Sequence, residues 1–134
     1  LKGEKGEWWI PWKPWAGNMV GAADKILDTS VLIDGRVAEI AAAGFLEGRL
    51  VVPQFVLHEL QAVADSSDEH KRARGRRGLE MLHALQESDH VEVEIESRDY
   101  PRIAGVDLKL IELASDRSGH IVTNDFNLAQ VAQV

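Results

Sequence analysis

From residue 25 onward, short apolar runs alternate with stretches of helical period. Residues 25–27 and 50–52 are brief runs rich in Ile, Leu and Val, the second closed by Pro53, and residues 120–122 repeat the pattern. Each reads as a short strand. Between the first two, Asp34 can cap a helix over 36–43, with Gly44 as its C-terminal stop. Residues 54–65 carry apolar side chains at 56, 57, 60, 63 and 64, the spacing of one helix face. The polar stretch 66–75 predicts loop or frayed helix. A helix over 76–86 follows, with Leu79, Leu82 and Leu85 on one side. Val91, Val93 and Ile95 alternate with Glu92, Glu94 and Glu96, which predicts an edge strand with one solvated face. Residues 107–115 form a helix with Leu110, Ile111 and Ala114 inward, and a last helix spans 126–134. Strands and helices in alternation predict an α/β fold built on a parallel, doubly wound sheet.

Residues 1–24 break this pattern. They hold all four Trp (Trp8, Trp9, Trp12, Trp15), Pro11 and Pro14, and no helical period. They predict an extended arm or linker, with the domain beginning at Lys25. At 134 residues and 45% hydrophobic content, the chain suits one domain with a real core. Its net charge of −7 argues against a general nucleic-acid coat but leaves room for a local basic patch. The absence of Cys excludes a disulfide framework and thiolate metal ligands, and fits a reducing compartment. No apolar run approaches the ~20 residues that span a bilayer, and no secretory leader pattern opens the chain.

Four acids stand where apolar runs stop. Asp28 follows the first strand, Glu59 lies in the helix after Pro53, Asp107 opens a later helix, and Asp125 follows the strand at 120–122. Ligands gather at the ends of strands in open α/β sheets. Carboxylates that meet there need a cation or a proton: at about 5 Å and an effective dielectric near 20, each like-charge pair costs roughly 3 kcal/mol. Each acid also has a plainer explanation. Asp28, Asp34 and Asp125 can cap helices, Asp107 is favoured by a helix dipole, and Glu59 can face solvent. The coincidence of all four carries the argument.

Lys71, Arg72, Arg74, Arg76 and Arg77 place five cations in seven residues. They read either as a solvated loop or as a surface for phosphate, onto which guanidinium groups fork. The five His show no metal-ligand spacing. No P-loop is present, and no aspartate pair follows the first strand to suggest a dehalogenase-type phosphatase.

Taken together, these segments resemble the PIN-domain nucleases, specifically the bacterial PIN–TRAM branch. The matching stretches are Lys25-Ile26-Leu27-Asp28-Thr29-Ser30, Pro53-Gln54-Phe55-Val56-Leu57-His58-Glu59-Leu60, Arg74-Gly75-Arg76-Arg77-Gly78-Leu79, Val106-Asp107-Leu108-Lys109 and Thr123-Asn124-Asp125-Phe126-Asn127-Leu128. The resemblance covers residues 25–134. It implies a three-layer α/β/α domain around a central parallel sheet, and a pocket of Asp28, Glu59, Asp107 and Asp125 holding Mg²⁺ or Mn²⁺. Thr29, Ser30 and Asn124 would lie beside those acids, with Asp34 as a further supporting residue. On their charge, and apart from the resemblance, Lys71, Arg72, Arg74, Arg76 and Arg77 are expected to bind the nucleic-acid backbone. The implied activity is metal-dependent cleavage of single-stranded nucleic acid, mostly RNA, and the rival is a PIN fold that docks RNA or the ribosome without cleaving. The family pattern continues beyond residue 134 and is preceded by membrane helices. The chain is therefore expected to be a truncated cytoplasmic piece, with residues 1–24 as a juxtamembrane linker. Pairing into a homodimer is also implied.

Overall fold

A computed structural model describes residues 23–43, 46, 48–124 and 128, together with the backbone of residues 8–11. Three strands are the apolar runs of the sequence: β2 (Lys25–Leu27), β3 (Leu50–Pro53) and β5 (His120–Thr123). β1 is Trp8–Pro11 and β4 is Val93–Glu96. They form one sheet in the order β1-β5-β2-β3-β4. β2, β3, β4 and β5 are mutually parallel, and β1 pairs antiparallel with β5, Trp8 opposite Thr123. The segment ahead of Lys25 thus contributes an extended strand to one edge, and β4 forms the other. β2 and β3 are buried along their whole length, as parallel strands covered on both faces must be.

Helices α1 (Thr29–Asp34), α2 (Val37–Ala42), α3 (Gln54–Ala64), α4 (Glu69–Glu87) and α5 (Val106–Arg117) connect the strands. The chain steps from β2 to β3 to β4 in one direction, then crosses back to place β5 on the far side of β2. Right-handed crossovers put α5 on the face opposite α1–α4, which makes the three-layer α/β/α arrangement. Ile26, Leu27, Leu50, Val51, Val52, Ile121 and Val122 of the strands meet Leu32, Leu60, Leu85, Leu110 and Leu113 of the helices in one core. Each such Leu or Ile contributes about 1.5–3 kcal/mol on full burial.

Three local expectations change. Asp34 does not cap a helix. It is the last residue of α1, a helix that begins at Thr29 because Asp28 caps it, accepting from the Thr29 backbone N–H at 2.7 Å. Gly35 ends α1 at φ 85°, a conformation that suits glycine. Arg36, not Asp34, then precedes α2, and Asp34 instead receives the Arg36 guanidinium, Nη2 to Oδ2 at 2.9 Å. Of the stretch 66–75, expected as loop or frayed helix, only 66–68 is loop: α4 starts at Glu69, with Asp68 accepting from the His70 N–H at 2.9 Å. Within α4, a Cβ on Gly75 would stand 2.3 Å from the Ala64 backbone nitrogen, and one on Gly78 would stand 2.5 Å from Leu60 Cδ2. These glycines let α4 press onto α3, which offsets their low helix propensity. Finally, the glutamates of β4 do not form a solvated face. Arg117 of α5 binds Glu94 at 2.7 Å and Glu96 at 2.8 Å, and Asp24 at 2.7 Å besides. Gly44 and the helix expected over 126–134 fall outside the described residues, apart from Leu128, which is helical and buried.

Candidate active site

The point where the chain turns back lies between β2 and β5, where open α/β sheets bind ligands. Leu27 pairs with Val122 across these strands, so Asp28 and Thr123 leave the sheet side by side. The Asp28 backbone N–H reaches back to the Val122 carbonyl at 3.1 Å. Its side chain is only 5% exposed. One carboxylate oxygen, Oδ1, accepts from the Thr29 N–H at 2.7 Å. The other, Oδ2, accepts from the Thr123 hydroxyl at 2.7 Å and the Ser30 hydroxyl at 3.0 Å. Ser30 Oγ in turn accepts from the Asn124 N–H at 3.1 Å. All the donors to Asp28 are neutral, and among the described residues no cation pairs with it. Burial therefore pushes the Asp28 carboxyl above its ordinary range. The three hydrogen bonds pull the other way, and the nearby charge of Asp107 adds to the rise.

The remaining acids approach from two helices. Glu59, half-buried on α3, accepts a hydrogen bond from the Thr29 hydroxyl, which ties α3 to the start of α1. Asp107 is exposed in the first turn of α5, close enough for its charge to act on Asp28. Asp125 lies outside the described residues. Among the described residues, no three acids or histidines converge closely enough to hold a metal between them. Asp34 stands at the far end of α1 from Asp28 and binds the Arg36 guanidinium. Asn124 has its side-chain Oδ1 buried with no hydrogen-bond partner among the described residues. A buried polar atom left so is costly, and this one stands beside the Asp28 carboxylate.

A profile of the PIN domain family matches residues 25–134. The chain belongs to the PIN domain family. It is 58% identical over 110 residues to the PIN and TRAM-domain containing protein YacL of Bacillus subtilis, an alignment covering 82% of this chain and 30% of that protein. A Synechocystis PIN and TRAM-domain containing protein is 48% identical over 118 residues, covering 88% of this chain and 33% of its own. A third, from Thermus thermophilus, is 56% identical over 110 residues, covering 82% and 32%. These relatives put the domain in the PIN–TRAM branch, and the chain spans about a third of their length. Its fold is also similar to a solved domain of a functionally unknown protein from Methanocaldococcus jannaschii, with a TM-score of 0.69 and 27% identity over 84% of this chain and 85% of that one. PIN domains are a nuclease-type family that typically uses divalent metals.

The donor set of this PIN domain suits such an ion. Asp28 accepts three hydrogen bonds, and a carboxylate offers about four lone-pair sites, so one remains. That lone pair and the orphaned amide oxygen of Asn124 are hard oxygen donors, the kind that Mg²⁺ and Mn²⁺ prefer. Thr123 is the residue that sequence reasoning missed. It is fully buried and makes one of the shortest bonds to Asp28, yet as the last residue of an apolar strand it looks like core. Its position directly before Asn124 and Asp125 was the available signal.

Proposed function

We propose that this PIN domain is a nuclease that hydrolyses phosphodiester bonds of single-stranded RNA with the help of Mg²⁺ or Mn²⁺. The observation that carries the reading is the state of Asp28: a desolvated carboxylate at the switch point of the sheet, fixed by three neutral donors and lacking a cation among the described residues. Perturbed carboxylates of that kind, not neutralised by the fold, mark functional sites. Asp28 would be the central metal ligand, with Glu59, Asp107 and Asp125 supplying further negative charge and oxygen donors around it. A bound divalent ion supplies Lewis acidity at the scissile phosphate and a water of lowered pKa. Thr29, Ser30 and Thr123 orient the carboxylates: Thr29 bridges Asp28 and Glu59 through its N–H and hydroxyl, while Ser30 and Thr123 hold Asp28 Oδ2 from the β5 side. Asn124 would present its free oxygen to the ion or to a water on it.

Cleavage of a labelled single-stranded RNA in Mn²⁺ tests this. Asp28→Asn keeps an oxygen for the helix cap but loses the charge, and should lower the rate by about a hundredfold or more while circular dichroism stays unchanged. Cleavage that survives Asp28→Asn, or that proceeds equally in EDTA, would contradict the reading.

A further inference from the structure

Several cations outside α4 have an acid beside them. Arg36 pairs with Asp34, Arg49 with Glu92 and Glu94, Arg98 with Asp116, Lys109 with Asp99, and Arg117 with three carboxylates. The first half of α4 differs. Lys71, Arg74, Arg76 and Arg77 are exposed there and form no ion pair among the described residues, in a chain with 22 acids to offer. Arg72 is turned to the Ser66 carbonyl at 3.3 Å.

Packing explains why these cations face outward and where they lie. Gly75 is pressed on Ala64 and Gly78 on Leu60, so α4 runs antiparallel to α3 with its glycine side inward. Leu60 is the neighbour of Glu59. The basic run therefore begins level with Glu59 and extends outward past the end of α3. Gly78 also faces Ile33 and Gly35 faces Met81, which seats α4 against α1 as well. Arg74 and Arg77 are three residues apart and so adjacent on one flank, and Met81 continues that flank. From Lys71 to Arg77 the helix rises about 9 Å, room for two successive phosphates.

We infer that the flank of α4 carrying Arg74 and Arg77, exposed beside α1, is a docking surface for the phosphate backbone of a single-stranded nucleic acid whose chain runs on to the acid site. The identity of the strand rests on the nuclease reading above. Guanidinium groups recognise phosphate in forked geometry and carry no base information. A membrane is the poorer fit, because Glu69 and Glu80 bracket the cations and no large apolar side chain is exposed on α4 to insert.

The test is binding without metal. Affinity of a fluorescent single-stranded RNA is measured by anisotropy in EDTA across a salt series, for the wild-type chain and for the Arg74→Ala/Arg77→Ala variant. Removing two phosphate contacts should reduce the slope of log affinity against log salt by about 1.4 and weaken binding about tenfold at low salt. Mn²⁺-induced stabilisation of the same variant should stay at the wild-type value, which separates this surface from the acid site. Unchanged affinity and slope would overturn the inference whatever the metal does. Displacement of RNA from the wild type by polyglutamate as readily as by unlabelled RNA would overturn it in favour of an acidic protein partner.

Discussion

Asp24 and Asp28 flank the same three-residue strand and meet opposite fates. Asp24 receives the Arg117 guanidinium at 2.7 Å, in a cluster where Arg117 also binds Glu94 and Glu96 and Arg49 binds Glu92 and Glu94. Arg117, only 13% exposed, ties the end of α5 to the start of β2 and to the edge strand β4. Hydrogen bonds from Arg117 and then Arg49 hold the Glu94 carboxyl down at about 2. The backbone N–H of Arg98, with help from Arg117, lowers Glu96 as well. Asp28 is more buried than any of these acids, yet hydroxyls and a backbone N–H take the place of arginine and its pKa rises. Where the fold neutralises its acids, they hold elements together. Where it leaves a buried one without a cation among the described residues, the carboxyl oxygens are available to a ligand.

Arg117→Met breaks the first half of the contrast. Removing one partner from a largely buried ion cluster leaves Asp24, Glu94 and Glu96 facing one another, and should cost about 3 kcal/mol in chemical denaturation. The Mn²⁺ response of the folded protein should survive, because Arg117 touches none of the site residues. A variant as stable as the wild type would mean that the cluster is ornamental to the fold, and a lost metal response would mean that the two regions are not independent.

A smaller effect lies in the pH dependence. Glu94 and Glu96 have lowered folded pKa values, so their contribution is complete above the ordinary value of 4.5 and is lost as pH falls below it, for Glu94 toward about 2. Asp28 has the opposite sign. Its raised folded pKa means that the metal-free protein gains stability as pH falls from that raised value to the ordinary 3.8. Asp28→Asn should therefore be more stable than the wild type at neutral pH without metal, and the difference should close below pH 3.8. A constant difference across that range would show that the Asp28 charge is not strained.

The sheet and its helices were legible because β2, β3 and β5 are buried apolar runs closed by turn or capping residues, and α3 and α5 keep a clear helical period. Features set by distant partners were not. Thr29, Val31 and Ile33 are β-branched and give little helix signal; α1 forms because Asp28 caps it and because Val31 and Leu32 find the core. The start of α4 looks like a charged loop until Ala64 and Leu60 are seen against its glycines. Arg117 shows nothing of its role in sequence, since its partners lie 21, 23 and 93 residues away. Asp34 invited a capping role that local Arg36 pre-empts. For the site, the position of Asp28 followed from strand-end logic, whereas the nearness of Asp107 came only from the resemblance and Thr123 needed the register of β2 against β5.

Mn²⁺ titration of thermal unfolding, run on the wild-type chain and on Asp28→Asn, tests the central claim most directly. A cation that binds the folded acid site should stabilise the wild type by about 2.7 kcal/mol at a hundredfold excess over its dissociation constant, and the variant by far less. No stabilisation of the wild type at millimolar Mn²⁺ or Mg²⁺, or an equal gain in both proteins, would contradict the assignment of Asp28 as the centre of a metal site.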